Sequence, residues 1–274
     1  MEADQIVLEP SERRETILDC LRMAKRGVAL SLFRCDDFAV LDELANARRR
    51  GVEVRLLLTE RAKGWKGRLR DLAALLPSMG VEIRRYAGAG VKYHAKYLVI
   101  DDGPALIASL NFTRKCFDRT CDFLVLTSDP EVVLGLQRLF DRDWGAPESP
   151  LPGGLCDRLI VGPEQSRSQL AAMLGRARRS IRIIDHKVED PAMLGLLETK
   201  RAEGVEVRVL GKGNLGSLIP HGKLILVDGA EAVLGSISLA TPSLDFRREV
   251  AVKVSDPASI RRLSEYFDRL AASR

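Results

Sequence analysis

The segment His94-Ala-Lys96-Tyr-Leu-Val-Ile-Asp101 returns later in the chain as His221-Gly-Lys223-Leu-Ile-Leu-Val-Asp228. The step from His94 to His221 also takes Ser109 to Ser236, Asp122 to Glu249, Asp129-Pro130 to Asp256-Pro257 and Phe140-Asp141 to Phe267-Asp268, without a gap. Upstream, Ala47-Arg-Arg-Arg-Gly-Val-Glu-Val-Arg-Leu56 is echoed at a longer step by Lys200-Arg-Ala-Glu-Gly-Val-Glu-Val-Arg-Val209. A fixed internal step of this kind marks a duplication. The change of step means that the first copy carries an insertion ahead of its histidine motif.

The two copies meet near Gly145-Ala-Pro-Glu-Ser-Pro-Leu-Pro-Gly-Gly154, where repeated proline and glycine forbid regular structure. This predicts an N-terminal repeat over 1–147, a linker over 148–154 and a C-terminal repeat over 155–274. Each half reads as alternating helices and short apolar strands. The closing helices begin at Asp129-Pro130 and Asp256-Pro257, an acidic residue before proline being a good helix start. Continuous apolar runs such as Tyr97-Leu-Val-Ile100 suit a sheet covered on both faces. The fold class is α/β.

A strand puts alternate side chains on one face. His94 and Lys96 would then point together, as would His221 and Lys223, while Asp101 and Asp228 fall on the other face by parity and read as structural. If the halves pack about a pseudo-two-fold, two histidines and two lysines converge. Ammonium groups suit a phosphodiester and its transition-state charge. A histidine titrates near neutrality, so one can attack phosphorus while the other protonates the leaving oxygen.

The doubled His-x-Lys-x4-Asp motif, followed in each half by a small-residue turn with serine, resembles the phospholipase D superfamily. The resemblance spans nearly the whole chain. It implies two tandem α/β/α sandwich halves with the active site at their interface, and a metal-independent phosphodiesterase or phosphatidyltransferase working through a covalent phosphohistidine. It implies His94 as nucleophile, His221 as general acid and base, and Lys96 and Lys223 as phosphate ligands. Ser109, Asn111, Ser236 and Ser238 stand where the family places small phosphate-binding groups. Asp122 and Glu249 stand where it places the carboxylate that orients a catalytic histidine. The chain departs from the pattern at Ala108, where glycine is usual, at Ser238, where asparagine is usual, and at Asp122, one methylene shorter than glutamate. The third histidine, His186 in Ile184-Asp-His-Lys187, lies just past a strand end, where it would either rim the pocket or stand in a solvated loop, the commoner case for such a position.

Apolar residues make up 46% and charged residues 30%, enough for a core with a soluble surface. Five cysteines without metal-ligand spacing read as free thiols in a reducing, cytoplasmic setting, and no metal or cofactor is expected. The N-terminus, Met1-Glu-Ala-Asp-Gln5, has no apolar stretch of the signal-peptide kind. The net charge of +5 favours an anionic partner. The insertion Arg61-Ala-Lys-Gly-Trp-Lys-Gly-Arg-Leu-Arg70 is basic and carries one aromatic residue. It suits an anionic membrane surface, a nucleic-acid backbone or simply a solvated helix face. The expected substrate is a phospholipid phosphodiester. A nucleic-acid phosphodiesterase is the alternative, and a catalytically degenerate phosphate-binding protein a second. A monomer suffices, because both halves of the site lie in one chain.

Overall fold

The computed structural model describes residues 4–153 and 155–273. The N-terminal residues Met1–Ala3, position 154 of the expected linker and the C-terminal position 274 lie outside it. Two sheets dominate. The first runs in the order Gln5–Val7, Leu124–Thr127, Ala105–Ala108, Tyr97–Ile100, Gly27–Leu32, Glu53–Leu58, Glu82–Arg85. The second repeats it as Leu159–Gly162, Arg247–Val254, Glu231–Gly235, Lys223–Val227, Ser180–Ile184, Glu206–Leu210. The additional edge strand, Glu82–Arg85, and the helix Lys66–Ser78 before it are the insertion.

Both faces of each sheet are buried, which explains the unbroken apolar runs. Along Tyr97–Ile100, Tyr97 and Val99 join one core cluster while Leu98 and Ile100 join another. Along Lys223–Val227, Leu224 and Leu226 face the first of these clusters and Ile225 and Val227 a third. That first cluster belongs to both halves. It takes Phe140 from the helix Pro130–Gly145, Tyr266 and Phe267 from Pro257–Ala272, and Phe123, whose ring meets Tyr266 edge-on at 6.1 Å. The remaining helices cover the outer faces: Pro10–Met23 and Phe38–Arg49 in the first half, Ser166–Gly175 and Pro191–Ala202 in the second. The expected α/β sandwich with two like halves is borne out. The closing helices start where the Asp-Pro pairs put them, with Asp129 accepting from the Glu131 N–H at 2.9 Å and Asp256 from the Ser259 N–H at 2.8 Å.

Asp101 and Asp228 end their strands in the left-handed region, at φ 48° and 57°. Each carboxylate gathers three backbone N–H groups from the start of a neighbouring strand. Asp101 takes those of Lys25, Arg26 and Gly27, and Asp228 those of Arg178, Arg179 and Ser180, at 2.7–3.1 Å. Burial alone would raise both carboxyls, but these donors outweigh it and hold them below the ordinary carboxylate range. A carboxyl depressed by folding stabilises above its unfolded pKa, and that stability is lost as the pH falls through its folded value. Asp228→Ala should therefore cost about 1–3 kcal/mol near neutrality, since three donors lose their acceptor and alanine must adopt a left-handed conformation. Asp228→Asn should cost less. Thermal melting of the two variants at pH 7 and pH 3 checks this: an alanine variant as stable as wild type at pH 7 contradicts it.

Candidate active site

Neither histidine stands in its own sheet. In the first half the chain forms the two-residue strand Lys92–Tyr93, runs irregularly through His94-Ala95-Lys96, and only then enters Tyr97–Ile100. Simple strand parity therefore does not set these side chains, as the sequence had suggested. What sets them is pairing with the opposite half. Lys92–Tyr93 runs parallel to Arg247–Arg248, and the His94 N–H donates to the Arg248 carbonyl at 2.9 Å. In the mirror arrangement Ile219–Pro220 runs parallel to Thr120–Cys121, and the Gly222 N–H donates to the Cys121 carbonyl at 2.6 Å. Gly222 is required there: a Cβ would lie 2.7 Å from that carbonyl oxygen and 2.8 Å from the Phe123 ring.

This exchange crosses the histidine–carboxylate pairs. His94 Nδ1 lies 2.5 Å from Glu249 Oε1 of the second half, and His221 Nδ1 lies 2.9 and 3.0 Å from the Asp122 carboxylate of the first. With Nδ1 engaged, Nε2 of each ring is the nitrogen left for substrate. Each lysine folds back on its own motif. Lys96 Nζ donates to the His94 carbonyl at 2.5 Å and sits 3.1 Å from His94 Nδ1, and Lys223 Nζ donates to the His221 carbonyl.

The two pairs are electrostatically unequal. Burial pushes the Glu249 carboxyl up to about 7, against the pull of Lys96, Ser243, Arg247 and Lys223. Burial also brings Lys96 down to about 7, partly offset by Glu249. His94 falls well below its ordinary value, first through burial, then through Lys96, Arg247 and Lys223. It is neutral at physiological pH, with a lone pair to use. Asp122 behaves oppositely. Burial would raise it, but His221 and the hydroxyls of Ser109 and Thr120, donating at 2.6 and 2.5 Å, bring it to about 2. An ionised carboxylate thus stands against His221.

A cavity of about 330 Å³ opens over both histidines. Of the residues predicted from the sequence, His94, Asn111, His221, Lys223, Ser236, Ser238 and Glu249 line it, while Lys96, Ser109 and Asp122 do not. Three of the four groups expected to bind phosphate have other partners here. Ser109 donates to Asp122 and accepts from the Phe123 N–H at 2.8 Å, so it braces the carboxylate from behind. Ser238 donates to Asp185 at 2.7 and 2.8 Å. Ser236 Oγ bridges the Val250 N–H and carbonyl, at 3.2 and 3.3 Å. Asn111 alone keeps its side-chain carbonyl without a partner.

His186 is not a solvated loop residue. It lines the cavity, its ring stacked on His221 with centroids 5.9 Å apart, and burial lowers it to about 4. A signal for it lay in the sequence. The step from Gly51 to Gly204 takes Phe33 to His186, and Phe33 packs on His94 at 4.3 Å. Arg34, Lys63, Lys92, Lys187 and Arg247 also line the cavity, and sequence reasoning had not gathered them.

Among the described residues, one trio of metal-capable groups comes together: Cys116, Asp122 and His221, with donor atoms within 4.8 Å of one another. They fit a metal ion poorly. Both Asp122 oxygens already accept hydrogen bonds, from Ser109, Thr120 and His221, and burial raises the Cys116 thiol, disfavouring the thiolate that a metal binds.

The family model described as "Cardiolipin synthase, PLD-like domain" matches residues 17–144 and 158–271, one segment on each half of this crossed site. The chain belongs to this phospholipase D-like family. The phospholipase D-like chain is also 24% identical over 313 aligned positions to a polyphosphate kinase of Salmonella typhimurium, covering 98% of this chain and 45% of that protein. It thus spans about half the length of the curated relatives it matches first. Among solved structures, polyphosphate kinase from Porphyromonas gingivalis superposes with a TM-score of 0.80 at 17% identity, covering 97% of this chain and 46% of that one. Phosphatidylserine synthase from Haemophilus influenzae gives 0.75 at 11% identity, covering 97% and 86%. At these identities the phospholipase D-like fold is what is shared. Among the described residues no helix is long and apolar enough to cross a membrane.

Proposed function

We propose that the protein is a metal-independent phosphodiester hydrolase or phosphatidyl-type transferase acting on phospholipid phosphodiesters through a phosphohistidine at His94. The observation that carries this reading is the inequality of the crossed pairs, a half-buried neutral His94 facing His221 on an ionised Asp122. In the first step His94 Nε2 forms a bond to phosphorus, the ester P–O bond breaks, and protonated His221 gives its proton to the departing oxygen. In the second, neutral His221 takes a proton from water or an alcohol, whose oxygen displaces His94. Lys223 in the cavity wall and Lys96 beneath it offset the charge that develops on the phosphoryl oxygens. The family description and the shape shared with phosphatidylserine synthase support a phosphatidyl substrate. The likeness to polyphosphate kinases supports phosphate chemistry at this centre more broadly.

Wild type should release head group from phosphatidylglycerol vesicles in excess EDTA, and should form a transphosphatidylation product when a primary alcohol is added. Turnover that vanishes with EDTA would overturn the metal-independent mechanism. Cleavage of DNA or RNA without any lipid turnover would keep the chemistry and move the substrate to nucleic acid.

A further inference from the structure

A third imidazole stands in the cavity wall, and the two-step chemistry has given it no task. The His186 ring lies beside His221, nearly parallel to it at 17°, with centroids 5.9 Å apart. The equivalent place in the first half holds Phe33, packed on His94. At this position the nucleophile's side of the cavity is therefore apolar, and the acid–base side is polar.

The backbone under His186 is held firmly. The Asp185 carboxylate accepts from the Ser238 hydroxyl and from the N–H groups of Leu239 and Lys187, at 2.7–3.0 Å. Gly211 packs over the turn, where a Cβ would lie 2.1 Å from the Asp185 carbonyl oxygen and 3.3 Å from His186 Cα.

His186 differs from the two motif histidines in its partners. His94 and His221 each meet a carboxylate within hydrogen-bond distance. The His186 Nδ1 is buried without a hydrogen-bond partner, 3.9 Å from Asp185 Oδ1. Burial, and then Lys223, keep the ring uncharged at neutral pH. A neutral imidazole carries one proton, and the nearby carboxylate draws it to Nδ1. Nε2 is then the nitrogen left for the cavity, with a lone pair that needs a hydrogen donor. A phosphodiester offers only acceptors. Among the reactants, a hydroxyl compound supplies the donor.

That compound arrives on this side. In the second step its oxygen bonds to phosphorus, the bond from phosphorus to His94 breaks with the electron pair returning to the ring, and the hydroxyl proton passes to His221. The reacting hydroxyl has one proton and gives it to His221, so His186 needs a second donor on the same molecule. Nearly parallel rings at this spacing suit hydroxyls on adjacent carbons. An ammonium donor is disfavoured, because Arg34, Lys92, Lys187 and Arg247 line the same cavity.

We propose that His186 is an acceptor-binding residue, whose Nε2 accepts a hydrogen bond from a second hydroxyl of the incoming alcohol, so that a diol is chosen over water and over a simple alcohol. This rests on the phosphohistidine reading above, and not on the phospholipid, since the acceptor enters after the first product has left.

The test uses bis-nitrophenyl phosphate, whose leaving group needs no proton, with ethylene glycol or ethanol as acceptor at equal concentration. Wild type, His186→Phe and His186→Gln are compared once thermal melting has shown all three to be folded. In wild type the ratio of transfer to hydrolysis should be at least about tenfold higher with ethylene glycol than with ethanol, the scale of one well-placed hydrogen bond. In His186→Phe, which copies Phe33, that preference should vanish, with the KM for ethylene glycol rising about tenfold and the ethanol ratio falling far less. In His186→Gln part of the preference should return, because the amide oxygen accepts a hydrogen bond. Equal ratios for the two acceptors in wild type overturn the proposal, as does a preference that survives in His186→Phe. An equal loss with both acceptors also overturns it, and makes His186 a support for the His221 ring. A wild type that releases no nitrophenolate and forms no adduct at His94 defeats the phosphohistidine reading itself, before any acceptor is compared, and the acceptor site falls with it.

Discussion

His94→Ala should reduce turnover by about 10⁴-fold or more and abolish any phospho-adduct trapped by rapid acid quench, because it removes the group that forms the covalent bond. The assignment follows from surroundings. His94 is the more buried of the two motif histidines and packs on the apolar face of Phe33. Lys96, Arg247 and Lys223 stand close enough to disfavour its protonation. Its lone pair is therefore present across the whole neutral range. His221→Ala should behave differently. With an ester whose leaving group needs no proton, such as a nitrophenyl ester, the first step survives while the second loses its base, so the adduct should accumulate. An adduct that persists in His94→Ala and disappears in His221→Ala would reverse the two roles.

The second large effect belongs to Asp122. Asp122→Asn keeps the shape of the side chain but removes the charge 2.9 Å from His221. Turnover should fall by about 10²–10⁴-fold, the range for losing a positioned acid–base group. Glu249→Gln makes the contrasting experiment. Burial already raises Glu249 to about 7, so near neutrality much of it is protonated and glutamine resembles that form. Its loss should cost under about tenfold, a fraction of the Asp122 effect. Equal losses in both variants, measured as kcat and KM from pH 5 to 9 on proteins of matched thermal stability, would mean that the two pairs are equivalent and that the asymmetric mechanism is wrong.

The duplication, the α/β class and the two histidine motifs could be read from the chain alone, because each is a matter of order. A constant step along a sequence reveals equivalent positions. Alternation of Tyr97, Leu98, Val99 and Ile100 between two cores reveals a strand buried on both sides. Asp101 and Asp228 were legible as structural residues because each ends its apolar strand at the same place in both copies, although strand parity, the reason first read for it, does not hold for the histidines. The insertion, too, was visible as a change of step.

What the order of residues could not express is which half meets which. The repeat pairs Asp122 with Glu249 as equivalents, yet each serves the histidine of the other half. That crossing comes from two short strands, Lys92–Tyr93 and Ile219–Pro220, that leave their own sheets to pair across the molecule. Long-range backbone pairing of two residues leaves no periodic trace. The same holds for Ser109 and Ser238, whose hydroxyls the packing turns toward Asp122 and Asp185, and for His186, which lines the cavity because its strand end stops beside His221. The sequence by itself determined the chemistry's parts and their doubling. Only the tertiary structure decided their partners, and through burial and neighbouring charge it made two copies of one motif unequal.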